Sequence, residues 1–404
     1  MTQESGSRPV SLPTERDTPF DPPRELRELA ATGPLHPMAY PSGHLGWLVT
    51  GHAVARAVLA DPRFSARQEL RHMPVEHVSA DLLRRPAPPG WFLRHDPPDH
   101  TRYRRLLTGQ FTVRKINRLI PRIQRITEDH LDAMEKAGSP VDLVEHFALP
   151  IPSLVICELL GVPYENREEF QRNTAELLKL DGDKEDKNAA RDGLTSFFTG
   201  LIAAKRAEPG DDLLSGLIAD GELDDTELFS IGLLLLIAGH ETTANMLAIG
   251  TWALLRHPEQ LAALKADPGL VDGAVEELLR HIAIIQFGAQ RAALEDVEIE
   301  GVTIKKGQTV TISIPMVNRD PDRFDDPDTL DLGKEAGGHL AFGHGVHQCI
   351  GQQLARIEMR IAYPALFRRF PGLALAVPDE EIRLRTDMAI YGVHRLPVIL
   401  GQSS

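Results

Sequence analysis

The chain has 404 residues, 42% of them apolar and 25% charged, with only two cysteines, so it is neither a disordered segment nor a disulfide scaffold. Its 58 acidic residues outnumber 44 basic ones, and the net charge of −14 argues against a general nucleic-acid binder, which needs a basic footprint. At about 150 residues per domain the length admits two or three domains or one large enzyme.

The N-terminal stretch is polar and proline-rich and lacks the charged start, apolar core and cleavage site of a secretory signal. Residues 1–20 read as a flexible segment of a cytoplasmic protein without a membrane anchor. Amphipathic periodicity predicts helices over 22–32, 51–60, 99–109, 114–137, 150–160, 166–180, 187–207, 224–256, 259–266, 271–281 and 350–369. The Pro-, His- and Arg-rich stretch 70–95 reads as a long loop, a feature that usually carries function. Strand-like runs are short: Gly46–Val49, Val297–Ile299, Thr309–Ile314 and Arg383–Leu384, with a hairpin near 387–399. No repeat or low-complexity linker divides the chain. The expected architecture is mainly α with small β-sheets, in a single large domain over 1–404.

The longest predicted helix is the most informative. Asp224 with Glu227 forms an N-terminal capping pair, and His257-Pro258 marks the stop. Its apolar run, Ile231 to Gly239, is interrupted by His240 and Glu241, short of the ~20 residues that span a bilayer. Glycine and two threonines at its centre are unusual for a core helix. Leu235, Ala238, Gly239 and Thr242 follow i, i+3, i+4, i+7 and are expected on one face, a groove for something flat or bulky.

Further on, Phe342-Gly343-His344-Gly345-Val346-His347-Gln348-Cys349-Ile350-Gly351 places a cysteine in a glycine-rich turn just before a helix start. Free amides and the helix dipole there favour thiolate. Cys157, in the run Leu154-Val155-Ile156-Cys157, has the setting of a core residue. Three chemistries suit Cys349. Zinc is one, with His339, His344 and His347 nearby; a zincin is not, because Ala244 follows His240-Glu241 where a second histidine is required. A cysteine hydrolase needs an orienting base that sequence does not place. An axial thiolate on haem iron accounts for more residues.

Phe342–Gly351 resembles the haem-binding loop of the cytochrome P450 family, F-x-x-G-x-[R/H]-x-C-x-G. Ala238–Thr243 resembles that family's A-G-x-[D/E]-T-T segment, and His95–Arg105 the start of its C helix. Glu277-Leu278-Leu279-Arg280 fits E-x-x-R, and Asn318-Arg319-Asp320-Pro321 with Phe324 also fits. E-x-x-R alone is weak, since it also occurs at Glu169/Arg172 and Glu380/Arg383; chain order selects Glu277 and Arg280. The closest flavour is the soluble bacterial type of secondary metabolism and xenobiotic oxidation.

The resemblance implies a haem-thiolate monooxygenase with haem b between the long helix and the cysteine loop, Cys349 being the iron ligand. It implies propionate contacts from His100, Arg104, Arg291 and His347, and a buried structural pair, Glu277–Arg280, with Lys334 where the family has a third arginine. Glu241 and Thr242 become the proton-delivery residues. Electrons would come from a ferredoxin served by an NAD(P)H-dependent reductase, docking near Arg104, Arg105, Arg114, Lys115, Arg356 and Arg360 on a monomer. The pocket expected from Leu234, Leu235, Ala238, Ile285, Phe287 and Ile390, with 166–200, suits a bulky hydrophobic small molecule; arginines 71, 84 and 85 read as exposed, or as facing a polar end of it. The rivals are a haem protein without turnover and a zinc-thiolate enzyme.

Overall fold

A computed structural model describes residues 8–76, 84–163, 172–174, 176–177, 183–386 and 388–401. In chain order the helices are α1 (Arg24–Ala30), α2 (His52–Ala60), α3 (Asp99–Gln110), α4 (Val113–Arg118), α5 (Ile120–Ala137), α6 (Pro150–Leu160), α7 (Lys184–Ala207), α8 (Leu213–Asp220), α9 (Asp225–Arg256), α10 (Pro258–Ala266), α11 (Val271–His281), α12 (Ile314–Val317) and α13 (Gln352–Arg369). The strands are β1 (Leu35–Ala39), β2 (Leu45–Val49), β3 (Phe64–Ser65), β4 (Val141–Asp142), β5 (Ala289–Ala293), β6 (Val297–Ile299), β7 (Val302–Ile304), β8 (Thr309–Ile312), β9 (Ala374–Leu375) and β10 (Pro397–Ile399). They form sheets ordered β1-β2-β8-β5-β3, β4-β10-β9 and β6-β7.

Helix α9 begins as its sequence dictates. The Asp224 carboxylate accepts from the Glu227 amide at 2.8 Å, and Glu227 Oε2 accepts from the Asp224 amide at 3.0 Å. At 1.5 Å per residue its 32 residues run about 48 Å. It is the one described helix apolar enough to cross a bilayer by length and composition, and it is instead mostly buried in the protein. Two glycines let neighbours approach. A Cβ at Gly239 would meet Ile156 of α6 at 2.9 Å; one at Gly250 would strike the Tyr363 hydroxyl of α13, which donates to the Met246 carbonyl at 2.6 Å. The largest apolar core runs from Phe92 to Leu400 and joins α3 to α11 and α13.

Several expectations change. The predicted 114–137 helix is two, α4 and α5, parted at Leu119 with Pro121 in the first turn of the second. β1 escaped notice because Pro37 interrupts its pattern; a proline is tolerated there because β1 is an edge strand. The expected strand Arg383–Leu384 is reduced to the isolated bridge Leu384↔Val393, and β10 pairs with β4 and β9 instead of folding back in a hairpin. Helix α8 was not anticipated. Residues 1–7 and most of 166–180 lie outside the described residues. Residues 8–20 are held to the fold: Val10 bridges Met38, Leu12 is buried, and Phe20 packs edge-on against Trp252.

Candidate active site

Cys349 sits in the loop between α12 and α13. Its amide donates to the Phe342 carbonyl at 2.9 Å, closing the turn, while the amides of Gly351 and Gln352 point at the sulfur. Gly343 and Gly345 take left-handed φ values of 69° and 73°, and a Cβ at Gly345 would strike the Leu59 carbonyl at 2.5 Å. Asn318 Oδ1 accepts the Leu340 amide at 2.7 Å and Asp320 caps α2 through the His52 amide, so the Asn-Arg-Asp-Pro motif holds the loop's entry. The expected preference for thiolate is not met in the protein alone. Burial raises the thiol pKa, and the two amides, Arg104 and Arg356 oppose that without overcoming it. A positive centre on the sulfur is what would complete the stabilisation.

Opposite lies α9. Within this buried helix Ala238 is exposed and Thr242 half-exposed, one turn apart on the same face. Leu234 and Leu235 are buried beside them, and Ile285, Phe287 and Ile390 are half-buried. Gly239 does not belong to this face, because it abuts Ile156. The Thr242 hydroxyl donates to the Ala238 carbonyl at 2.7 Å, leaving its lone pairs to accept.

Glu241 points elsewhere. It is buried, and its Oε2 accepts from Arg385 Nη2 at 2.7 Å, with Asn245 Nδ2 at 3.5 Å. Burial pushes its carboxyl pKa up, while Arg385, Asn245 and His394 pull the other way. Arg385 was missed in the sequence, where nothing ties the C-terminal segment to α9. His240 alongside is buried, and desolvation followed by Arg385 lowers its pKa to about 4. Neutral His240 therefore contributes stability above its unfolded pKa near 6.5, and that contribution is lost as pH falls toward 4. The expected loss is about 3 kcal/mol. Urea midpoints at pH 7 and 4.5 should show a shallower slope for His240→Gln; an unchanged slope would remove His240 from the account.

A third group lies at the loop's flank. His100 and His347 rings sit 4.1 Å apart, and His100 Nε2 and His347 Nδ1 are buried without partners. Arg291, Arg104 and Arg71 are close enough to His347 to help burial lower its pKa to about 2. So His100, Arg104, Arg291, His347 and Cys349 come together, as expected, and Arg71 joins them. Arg71 is half-buried, correcting the exposed reading, whereas Arg84 and Arg85 are exposed. Partnerless donors among arginines suit a dianionic group such as two propionates.

Glu277 and Arg280 form a bidentate pair at 2.7 and 2.8 Å, both buried. Arg280 also donates to the carbonyls of Asn318 and Pro327, and the Asp331 amide donates to Glu277. Lys334 does not complete this group: it contacts Asp325 and Asp326. The histidines offered for zinc do not converge, since His339 bonds Glu276 and His347 faces His100; among the described residues no cluster of three metal-binding side chains exists.

The Cytochrome P450 family model matches residues 269–388. Cytochrome P450 105C1 of a Streptomyces species is 51% identical, over 98% of this chain and 100% of its own. The chain belongs to the cytochrome P450 family. Another relative of this P450 is pentalenic acid synthase of Streptomyces avermitilis, 46% identical over 98% of both chains. The crystal structure of CYP105P1 in complex with filipin I superposes with a TM-score of 0.90 at 46% identity, covering 97% of this chain and 99% of that one. The protein is therefore a haem b-dependent monooxygenase of a hydrophobic small molecule.

The proposed docking charges on this P450 are largely spent locally. Arg105 pairs with Glu222, Arg356 with Glu276 and Arg360 with Asp272, and Arg104 turns inward. Arg114 is exposed, and Lys115 is half-buried and donates to Gln110. Arg114→Glu should therefore slow ferredoxin-supported turnover several-fold at low salt, and less at high salt, while Arg105→Glu has the smaller effect. Stopped-flow reduction rates across ionic strength give the comparison, and equal effects would discard this surface.

Proposed function

We propose that this P450 hydroxylates or epoxidises a bulky hydrophobic compound, with Cys349 supplying the sulfur that would bind the haem iron and with His100, Arg104, Arg291 and His347 as the residues that would hold the haem propionates. The observation that carries this reading is the buried Cys349 sulfur, approached by the amides of Gly351 and Gln352 and by Arg104, beside the cluster of His100, His347 and Arg291. Bound haem supplies the dioxygen-activating chemistry, strengthened by electron donation from the thiolate.

The chain's own residues handle protons and water. Thr242, its hydroxyl proton committed to Ala238, accepts a hydrogen bond on the pocket side and so orients a proton donor there. Glu241, kept from the pocket by Arg385, carries protons inward when it leaves that partner. Leu234, Leu235, Ile285, Phe287 and Ile390 form an apolar wall that orients the substrate and excludes bulk water. A rate loss of about 100-fold is expected for Glu241→Gln. Arg385→Gln, by leaving the buried carboxyl without its cation, should move the pH–rate profile upward; an unmoved profile would separate Arg385 from proton delivery.

Electrons come from a ferredoxin and its NAD(P)H-dependent reductase. The chain acts as one catalytic domain, read from the core shared by ten of the described helices, and as a cytoplasmic monomer. The deciding experiment is the spectrum of the reduced, carbon monoxide-treated protein, with the strongly red-shifted Soret band of a thiolate-ligated haem expected. A colourless preparation carrying zinc would overturn the reading.

A further inference from the structure

Glu241 has to be recharged from solvent each time it sends a proton inward, and the groups that touch it are poorly suited to do so. Arg385 is its ion-pair partner at 2.7 Å, and a guanidinium does not give up its proton in a protein. Asn245 offers an amide at 3.5 Å, which does not titrate. His240, the preceding residue, is buried, and desolvation lowers its pKa to about 4, so it stays neutral. The Glu241 side chain itself is almost wholly shielded from water.

The segment that delivers Arg385 carries a further titratable group. Residues 383–385 and 392–394 run antiparallel. The Arg385 amide donates to the Gly392 carbonyl at 2.9 Å, the His394 amide donates to the Arg383 carbonyl at 3.0 Å, and Leu384 bridges Val393 between them. Side chains alternate along such a pair, so Leu384 and Val393 share one face while Arg383, Arg385, Gly392 and His394 share the other. The first face enters the apolar core. Two contacts turn the second face to α9: Arg385 reaches Glu241, and a Cβ at Gly392, opposite Arg385, would run into Asn245 Oδ1. His394 lies two residues beyond Gly392 on this face. Arg383 across from it is exposed, His394 is half-buried and Glu241 is buried, so exposure falls stepwise from solvent to the carboxylate. Arg395, next in sequence, pairs with Asp142 instead. Burial raises the Glu241 carboxyl pKa, and Arg385, Asn245 and then His394 oppose it, so the imidazole acts on the carboxylate.

We propose that His394 is the proton donor that recharges Glu241 from solvent. The inference rests on the reading above, in which Glu241 delivers protons to the pocket. The imidazolium passes a ring proton to the Glu241 carboxylate and becomes neutral imidazole. The carboxyl, now uncharged, is released from Arg385 and turns inward, and solvent reprotonates the ring. Each step moves one proton and no electron. Imidazole suits the task because it exchanges protons near neutral pH. Gly392 serves the same end, since a side chain there would lift the segment off Asn245.

The test uses the haem-loaded enzyme with NADPH, a ferredoxin and its reductase. It follows oxygen uptake from about pH 6 to 9, and the infrared carboxyl band that Glu241→Gln removes. In His394→Gln, uptake near neutral pH should fall about tenfold with a larger solvent deuterium isotope effect, and the decline in rate at alkaline pH should flatten. The carboxyl band should titrate at higher pH, because a cation beside the carboxylate has gone. His394→Lys keeps the charge without exchanging protons near neutrality, so the band should return toward its wild-type titration while uptake stays slow. Full uptake in either variant, or an unmoved band in His394→Gln, overturns the proposal. A slower His394→Gln whose isotope effect and pH profile match the wild type overturns it too, because the histidine would then be structural. Glu241→Gln with wild-type uptake refutes the proton-delivery reading instead, so the two failures are distinguishable.

Discussion

Replacing Cys349 by serine is expected to abolish the red-shifted carbon monoxide band and reduce turnover to background, with the chain still folded. The sulfur's surroundings explain why no other atom replaces it. Two amides, Gly351 and Gln352, and the cations Arg104 and Arg356 are aimed at a negative ligand in a place where burial alone would keep a thiol protonated. A serine hydroxyl, far less acidic than a thiol, would stay neutral there and donate no comparable electron density. Cys157→Ser provides the contrast. That side chain is fully buried within α6, so the substitution should cost about 1–3 kcal/mol of stability yet leave the band in place. Urea titration and the carbon monoxide spectrum separate the two effects. A Cys349→Ser protein that retained the band would remove Cys349 from the iron.

Glu277→Gln or Arg280→Ala should destabilise the fold by about 3–5 kcal/mol, because either leaves a fully buried ion without its partner. That is a large share of the 5–15 kcal/mol typical of a folded protein. The pair does more than neutralise itself. Arg280 gathers the carbonyls of Asn318 and Pro327, and Glu277 takes the Asp331 amide, so α11 fastens the segment leading to the cysteine loop. Yield of haem-loaded protein and urea midpoints report the loss. Lys334→Ala should cost less than about 1 kcal/mol, since its contacts with Asp325 and Asp326 are near the surface. A large effect at Lys334 would mean that the lysine does reach the buried pair.

Local signals made α9 and the cysteine loop legible. The Asp224/Glu227 capping pair, the His257-Pro258 stop and the glycines around Cys349 each act within a few residues, and each took the expected conformation. Relations between distant segments were not legible. Arg385 meets Glu241 across 144 positions, and no periodicity links them. Gly239 satisfies the spacing of a groove residue yet serves α6, because four positions of a helix subtend an arc wide enough to touch two neighbours. The charge reading failed similarly. Arg105, Arg356 and Arg360 look like a basic patch in one dimension, and the fold sets Glu222, Glu276 and Asp272 against them.

The contact between Gly250 and the Tyr363 hydroxyl sets how closely α9 and α13 approach. They touch there without room for a methyl group, eight residues along α9 from Thr242, about 12 Å along the axis. The hydroxyl also donates to the Met246 carbonyl, so a bond as well as a close contact joins the two helices. Any side chain larger than hydrogen at position 250 would have to break that bond or displace one of the helices.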